Sequence, residues 1–187
     1  MHSIPNYLTW GRIALIPIFV IVFYLPVSWA NEVSALLFML AGFTDWLDGY
    51  LARKWKQTTA FGAFLDPVAD KLMVAVALIL LVQANPTATF AAPACVIVGR
   101  EIAVSSLREW MAEIGARAAV AVSGMGKIKT TVQMVALLLL LYRDDLLGLP
   151  VHMIGMALLY VAAILTLWSM LVYLKAAWPL LMKTRSN

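Results

Sequence analysis

Six long apolar stretches dominate the sequence and limit what the chain can fold into. They cover residues 12–27, 33–52, 66–82, 90–111, 127–142 and 151–174. Most of them approach the roughly 20 residues that a helix needs to cross the hydrocarbon core of a bilayer. Short connections containing Pro, Asn, Gly or Asp separate several of them. We therefore predict an all-α, polytopic membrane protein with six transmembrane helices, preceded by a short interfacial helix within residues 1–10.

The amino-acid composition excludes the common soluble classes. Apolar residues make up 63% of the 187 residues and charged residues 13%, and that charged share is about half the usual value for a soluble domain. The mean hydropathy is +0.88. The single cysteine, Cys95, excludes an internal disulfide. Because no repeat or low-complexity tract is present, we predict one domain over residues 1–187.

The net charge of +4 is distributed unevenly along the chain. No basic stripe carries interleaved exposed aromatic residues, so we expect no nucleic-acid partner. The connections on one side of the predicted membrane hold a single basic residue, Arg143, beside two aspartates. Both termini are therefore predicted to be cytoplasmic by the positive-inside rule. The cytoplasmic set comprises Arg53, Lys54, Lys56, Arg108, Arg117, Lys127, Lys129, Lys175, Lys183 and Arg185.

The first apolar stretch also has an alternative interpretation as a signal peptide. Arg12 precedes the apolar run, and Ser28, Trp29 and Ala30 form a small-x-small cleavage pattern. Five further apolar stretches make cleavage unnecessary for insertion. We therefore favour a retained first helix.

Four aspartates in or beside the second and third apolar stretches point to chemistry. A carboxylate at mid-membrane costs roughly 2.5–3.5 kcal/mol on an insertion scale, and such groups are usually kept for a cation or a reaction. Asp45 and Asp48 are three residues apart, and Asp66 and Asp70 are four apart, so each pair shares a helix face. Four hard oxygen donors suit Mg²⁺ or Mn²⁺ rather than zinc.

Each aspartate also has a purely structural interpretation. Asp66 precedes Pro67 and would make a helix N-cap with proline at the first helical position. Asp45 would serve as a lone polar residue facing another helix, and Lys71 or Arg53 would neutralise one carboxylate. Four acids in register with glycines are poorly explained in this way.

These residues form a recognisable motif that covers the second and third stretches. The pattern resembles, without a departure, the signature of the CDP-alcohol phosphatidyltransferase family. Further motifs, including Gly99-Arg100-Glu101, look like the bacterial branch of that family that uses glycerol 3-phosphate as acceptor. The signature residues are Asp45, Asp48, Gly49, Ala52, Arg53, Gly62, Asp66 and Asp70.

The resemblance implies a function and a set of roles. The family transfers a phosphatidyl group from CDP-diacylglycerol to an alcohol and releases CMP. Asp45, Asp48, Asp66 and Asp70 would hold Mg²⁺ or Mn²⁺, with two ions expected, and Asp70 would also be the catalytic base. Similar enzymes are homodimers in a bacterial inner membrane. The residues expected to contact CDP-diacylglycerol are Asn6, Thr9, Arg12, Asp48, Gly49, Ala52, Arg53 and Gly62.

The acceptor is expected to carry a phosphate. Glu101, Ser105 and Arg108 share a helix face by their i, i+4, i+7 spacing. Lys127 and Lys129 open the fifth stretch on the same predicted membrane side. We predict that Ser105, Arg108, Lys127 and Lys129 bind the phosphate of glycerol 3-phosphate.

Several alternatives stay open at this point. The basic residues of the fourth and fifth stretches would equally serve as positive-inside anchors, and Arg100 with Glu101 would form an internal ion pair. Serine, inositol phosphate or phosphatidylglycerol would be accepted by the same chemistry. A cation transporter would also keep intramembrane carboxylates, although the outer halves of the second and third stretches are apolar throughout.

Overall fold

The computed structural model is helical, as the sequence predicts. It describes residues 4–55, 60–115, 124–146 and 148–183. Within this part of the chain, the only strand-like feature is an isolated bridge between Leu146 and Leu149. The described residues form six helices: α1 (Ile4–Phe23), α2 (Ala30–Trp55), α3 (Ala60–Ala84), α4 (Ala88–Glu113), α5 (Gly124–Tyr142) and α6 (Val151–Lys183).

The N-terminal segment differs from the prediction of a separate interfacial helix. In the described residues, α1 runs without a break from Ile4 to Phe23. Pro5 lies in its first turn, where proline is tolerated because the N–H group that it lacks would have no partner within the helix. The side chains of Thr9 and Arg12 are buried. Tertiary packing therefore holds this part of the chain as the beginning of α1, and the prediction of a separate short helix is wrong.

The helix ends follow from local backbone chemistry. Helix α3 ends before Asn85, which precedes Pro86 and is therefore disfavoured in the helical region. Helix α4 ends at Glu113 and is followed by Gly115, whose φ of +74° is a left-handed conformation that glycine adopts without strain. The Gly115 amide donates to the carbonyl oxygen of Ala112 at 3.2 Å, which satisfies one of the last helical acceptors.

The chain divides into two compact units, and the first comprises residues 1–86 and 137–155. In this unit α1 packs against α2 and α3, and α2 contacts α3. The rings of Phe19 and Phe38 lie 6.5 Å apart between α1 and α2, and both side chains are buried. Ala41 of α2 and Ala69 of α3 are also buried. Small side chains at such positions let helices approach closely.

The second unit comprises residues 87–136 and 156–187, and it contains α4 with parts of α5 and α6. Its apolar core includes Val104 and Met111 of α4 together with Tyr173 and Ala177 of α6. Buried positions recur every three or four residues along both helices, as expected where one helix face packs on another.

Helix length and composition support a membrane location for part of the chain. Among the described residues, Ala88–Glu113 and Val151–Trp178 are long and apolar enough to cross a bilayer, while Thr9–Phe23 and Ile128–Tyr142 are shorter apolar helices. Ile79 and Ile164 are more than 60% exposed although they lie inside long apolar helices. The protein is therefore helical and partly apolar, consistent with a membrane protein, and the count of six spans stays a prediction.

Candidate functional site

An arginine on α1 joins the two aspartates of α2 in the first unit. Arg12 Nη1 donates to Asp45 Oδ1 at 2.6 Å, and Arg12 Nη2 donates to Asp48 Oδ2. The side chains of Arg12 and Asp48 are 1% and 3% exposed, whereas that of Asp45 is 41% exposed. The spacing prediction for Asp45 and Asp48 is thereby confirmed, because both carboxylates reach one guanidinium. We call these two residues the acidic pair.

The buried location of Asp48 follows from the pattern of α2. Asp48 continues a stripe of buried positions that includes Ser34, Phe38 and Ala41. The spacing of these residues, between three and seven, places them on one side of the helix. That side packs on α1, where Thr9 and Arg12 form the corresponding buried positions. The fold therefore brings the carboxylates to a helix–helix contact, where a charge needs a partner.

The opposite side of α2 carries a ladder of exposed aromatic rings. The ring centroids of Phe43 and Trp46 lie 5.9 Å apart, and those of Trp46 and Tyr50 lie 5.9 Å apart in a stacked arrangement. The Lys54 Nζ lies 5.7 Å from the Tyr50 ring centroid. Exposed Trp and Tyr rings beside a lysine are typical of a membrane–water interface.

The second pair of aspartates lies on α3. Asp70 is half-buried. Asp66 lies inside α3, which begins at Ala60, so Asp66 is not the N-cap of this helix. That structural alternative is wrong. Because the two residues are four apart in a continuous helix, their backbone positions lie on the same side of α3.

A divalent cation of the Mg²⁺ type needs several oxygen donors close together. Among the described side chains, no group of three or more His, Cys, Asp or Glu residues lies close enough together to hold a metal ion. The acidic pair nevertheless converges on one cationic group, Arg12, and one guanidinium against two carboxylates leaves a formal charge of −1. Hard carboxylate oxygens already directed at a shared cation are the ligand type that Mg²⁺ and Mn²⁺ take. Among the described residues, the acidic pair therefore provides two oxygen ligands of the type that a divalent ion takes.

The structure describes only some of the other predicted site residues. Thr9 is fully buried on α1 and Gly49 is half-buried on α2. Arg12 lies against the acidic pair, as described above. For six predicted residues only the helical backbone is described: Asn6, Ala52, Arg53, Gly62, Asp66 and Lys127.

A second group of polar side chains lies in the second unit. It spans three helices and mixes basic, acidic and hydroxyl groups. We call it the basic cluster: Arg100, Glu101 and Arg108 of α4, Lys129 of α5, and Ser169 and Tyr173 of α6.

Glu101 is the anion at one end of the basic cluster. Its Oε1 accepts from Lys129 Nζ at 2.6 Å and from Arg100 Nη1 at 3.0 Å. The predicted internal ion pair of Arg100 with Glu101 is thereby confirmed, with Lys129 as a third member. The Lys129 and Arg100 side chains are only 5% and 7% exposed. One carboxylate thus neutralises one of two buried basic groups.

Helix α6 provides the remaining partners of the two arginines. Arg100 Nη2 donates to Ser169 Oγ at 2.7 Å, and Arg108 Nη2 donates to Tyr173 Oη at 2.8 Å. Three basic side chains against one carboxylate give the basic cluster a formal charge of +2. The Nε atoms of Arg100 and Arg108 are buried and have no hydrogen-bond partner among the described residues. Positive charge with unused donors in an apolar surrounding favours an anionic ligand.

The predicted phosphate-binding residues are therefore partly brought together. Arg108 and Lys129 both belong to the basic cluster. Ser105 Oγ donates to the backbone carbonyl oxygen of Glu101 at 2.6 Å, a bond within α4. Sequence reasoning missed Ser169 and Tyr173, because a serine and a tyrosine in an apolar stretch carry no motif.

Comparisons with known proteins agree with the sequence resemblance. Residues 2–168 match the family model described as CDP-alcohol phosphatidyltransferase. Proteins of Pectobacterium atrosepticum and Sodalis glossinidius are each 58% identical over 175 residues, 94% of this chain and 94% of each relative. A protein of Yersinia enterocolitica is 56% identical over 176 residues, 94% of this chain and 95% of the relative. All three are named CDP-diacylglycerol–glycerol-3-phosphate 3-phosphatidyltransferase.

Proposed function

The chain belongs to the CDP-alcohol phosphatidyltransferase family, and from that premise we propose that it transfers the phosphatidyl group of CDP-diacylglycerol to glycerol 3-phosphate. The products are phosphatidylglycerophosphate and CMP. The observation that carries this proposal is the identity of more than half of all residues with proteins named for that reaction, over nearly the whole chain. The family model matches residues in both compact units, which supports one catalytic domain over residues 1–187.

The acids of α2 and α3 are the proposed metal ligands. Enzymes of this family generally use a divalent metal ion. Asp45, Asp48, Asp66 and Asp70 would hold Mg²⁺ or Mn²⁺, with two ions expected. The convergence of the acidic pair on one cation supports this assignment. Such an ion, when bound, offsets the negative charge of the diphosphate and of the departing CMP.

The chain's own residues position the donor and move the proton. Asp70 accepts the proton of the attacking hydroxyl of glycerol 3-phosphate. The hydroxyl oxygen forms a bond to the phosphatidyl phosphorus, while the bond from that phosphorus to the CMP oxygen breaks and CMP leaves with the electron pair. Gly49 and Gly62 allow close approach of the nucleotide, and Arg53 contacts phosphate. The remaining proposed donor contacts are Asn6, Thr9, Arg12, Asp48 and Ala52.

Arg12 is proposed to orient the acidic pair for this task. Its guanidinium donates to one oxygen of each carboxylate and so fixes the orientation of both groups. Burial of Arg12 and Asp48 limits the rotamers that either side chain can adopt. The donor atoms are therefore ordered before substrate arrives.

The basic cluster is the proposed site for the phosphate of the acceptor. Its formal charge of +2 complements a phosphate monoester, and Arg108 and Lys129 are two of the residues expected from the sequence. Ser105 and Lys127 complete the proposed set. This charge favours glycerol 3-phosphate or inositol phosphate over an uncharged alcohol or zwitterionic serine, and the high-identity relatives are named for glycerol 3-phosphate.

The proposed location is a bacterial inner membrane with both termini cytoplasmic. The aromatic ladder of Trp46 and Tyr50 with Lys54 supports a membrane–water interface near the C-terminal end of α2. The lipid-borne donor requires a site near a bilayer surface. A homodimer is part of the proposal and rests on the resemblance alone. Since the family is one of transferases, the cation-transporter alternative loses its support.

One assay tests the proposed reaction directly. Purified protein with CDP-diacylglycerol, Mg²⁺ and glycerol 3-phosphate is expected to release CMP, and EDTA is expected to abolish the release until excess Mg²⁺ is restored. CMP is quantified by chromatography, and the lipid product by mass spectrometry. Serine, inositol phosphate and phosphatidylglycerol are compared at equal concentration. Faster CMP release with any of these would contradict the assigned acceptor, and release that survives EDTA would contradict the metal assignment.

A further inference from the structure

We propose that Tyr173 of α6 is a positioning residue for the anionic acceptor, acting by holding Arg108 and Arg100 of α4 in place. The inference rests on the proposed function, because it takes the basic cluster to receive the phosphate of glycerol 3-phosphate. It extends that function to a residue beyond position 168, where the match to the family model ends.

The contacts of Tyr173 with the two arginines carry the proposal. The Arg108 Cζ lies 5.0 Å from the centroid of the Tyr173 ring, and the Arg100 Cζ lies 5.7 Å from it. The Tyr173 Oη also accepts the 2.8 Å hydrogen bond from Arg108 Nη2. One side chain therefore contacts two guanidinium groups that lie eight residues apart on α4. Cation–π contacts gain strength when the partners are removed from water, and Tyr173 is only 6% exposed.

Tyr173 is itself held firmly by an apolar surrounding. It belongs to a buried group with Val104, Met111 and Ala177, against which Leu107 and Trp110 pack. A tyrosine has few rotatable bonds and loses little entropy when it is fixed. An arginine loses much more side-chain entropy when it is held in one conformation. A rigid ring that fixes arginines before the ligand binds reduces the entropic cost of binding.

The remaining donors of the two arginines support a ligand role. Arg100 Nη2 is used by Ser169, one turn before Tyr173 on α6. The Nε atoms of Arg100 and Arg108 are buried without a partner among the described residues. The two guanidinium groups therefore provide N–H donors suited to phosphate oxygens.

The test separates the hydroxyl of Tyr173 from its ring. Tyr173→Phe keeps the ring and is expected to raise the KM for glycerol 3-phosphate about tenfold, because a hydrogen bond to a charged group is lost. The KM for CDP-diacylglycerol and kcat are expected to stay within about twofold of wild type, since the donor does not use this contact. Tyr173→Leu, which also removes the ring, is expected to raise the acceptor KM further.

Two controls distinguish positioning from a structural effect. Tyr160→Phe makes the same change on α6 at a hydroxyl that donates to the backbone carbonyl of Thr89, and it is expected to leave both KM values unchanged. In an Arg108→Gln background, Tyr173→Phe is expected to add no further increase, because it acts through Arg108. Independent, additive effects of the two changes would overturn the proposal, as would an equal rise of both KM values.

A binding measurement separates failure of this inference from failure of the proposed reaction. Thermal stabilisation of the purified protein by glycerol 3-phosphate needs no turnover. Wild-type protein is expected to be stabilised, and Tyr173→Phe is expected to need about ten times more ligand. Suppose that the wild-type protein releases no CMP but is stabilised by glycerol 3-phosphate, and that this stabilisation is weaker in Tyr173→Phe. That result would contradict the proposed reaction and leave the role of Tyr173 in place. A Tyr173→Phe protein stabilised like wild type, or a wild-type protein without stabilisation, would overturn the role of Tyr173.

Discussion

Asp70→Asn is expected to lower the turnover number by about 10³-fold or more, in the range that a lost general base and metal ligand costs. Asparagine has nearly the same size as aspartate and fits the half-buried position on α3. It carries no negative charge and cannot accept the proton of the attacking hydroxyl. Turnover is measured as the initial rate of CMP release, and circular dichroism shows whether the helices are retained.

The control for this variant is the same substitution at an exposed aspartate. Asp145 is exposed in the connection between α5 and α6, and the Asp145→Asn protein is expected to retain full activity. Raising the Mg²⁺ concentration tests the two roles of Asp70 separately. Recovery of turnover at high Mg²⁺ would indicate a ligand rather than a base. Near-normal turnover of Asp70→Asn at ordinary Mg²⁺ would remove Asp70 from the mechanism.

Arg12→Leu is expected to give the second large effect, this time on stability. The substitution leaves Asp48 buried at 3% exposure without its guanidinium partner. Breaking a buried ion pair from one side typically costs about 3–5 kcal/mol, because the remaining charge stays desolvated. In EDTA, the free energy of unfolding is therefore expected to fall by about that amount. Denaturant titration followed by circular dichroism measures the change.

Mg²⁺ is expected to recover part of the stability that Arg12→Leu loses. A divalent ion bound by the acidic pair supplies the cationic partner that the variant lacks. The gain in unfolding free energy on adding Mg²⁺ is therefore expected to be larger in Arg12→Leu than in wild type. Arg143→Leu is the matched control, because the guanidinium of Arg143 lies against the Phe23 ring. Equal Mg²⁺ stabilisation of Arg12→Leu and wild type would contradict an ion at the acidic pair.

The helices and the face of the acidic pair could be predicted from local patterns. Six apolar stretches with polar connections predicted six helices. The three-residue interval between Asp45 and Asp48 placed both on one side of α2, and their shared contact with Arg12 confirms it. These features depend on helix periodicity, which the sequence displays directly. The prediction of a separate N-terminal helix was wrong, because Thr9 and Arg12 are buried by tertiary packing and belong to α1.

The partners of the charged groups could not be predicted in the same way. Arg12 lies 33 residues before Asp45, and Tyr173 lies 65 residues after Arg108. Contacts at such separation depend on how helices pack, and periodicity within one helix does not encode them. The neighbouring Arg100 and Glu101 were within reach of sequence reasoning, but the addition of Lys129 from α5 was not.

The acids of α2 and α3 are proposed to hold a divalent ion against the diphosphate of a lipid donor. Mn²⁺ substitutes for Mg²⁺ and permits electron–nuclear double resonance on the purified protein. With CDP-diacylglycerol bound, the Mn²⁺ signal is expected to show hyperfine coupling to phosphorus, and Asp48→Asn is expected to lose it. Protein-bound Mn²⁺ without phosphorus coupling, or coupling that persists unchanged in Asp48→Asn, would contradict the claim.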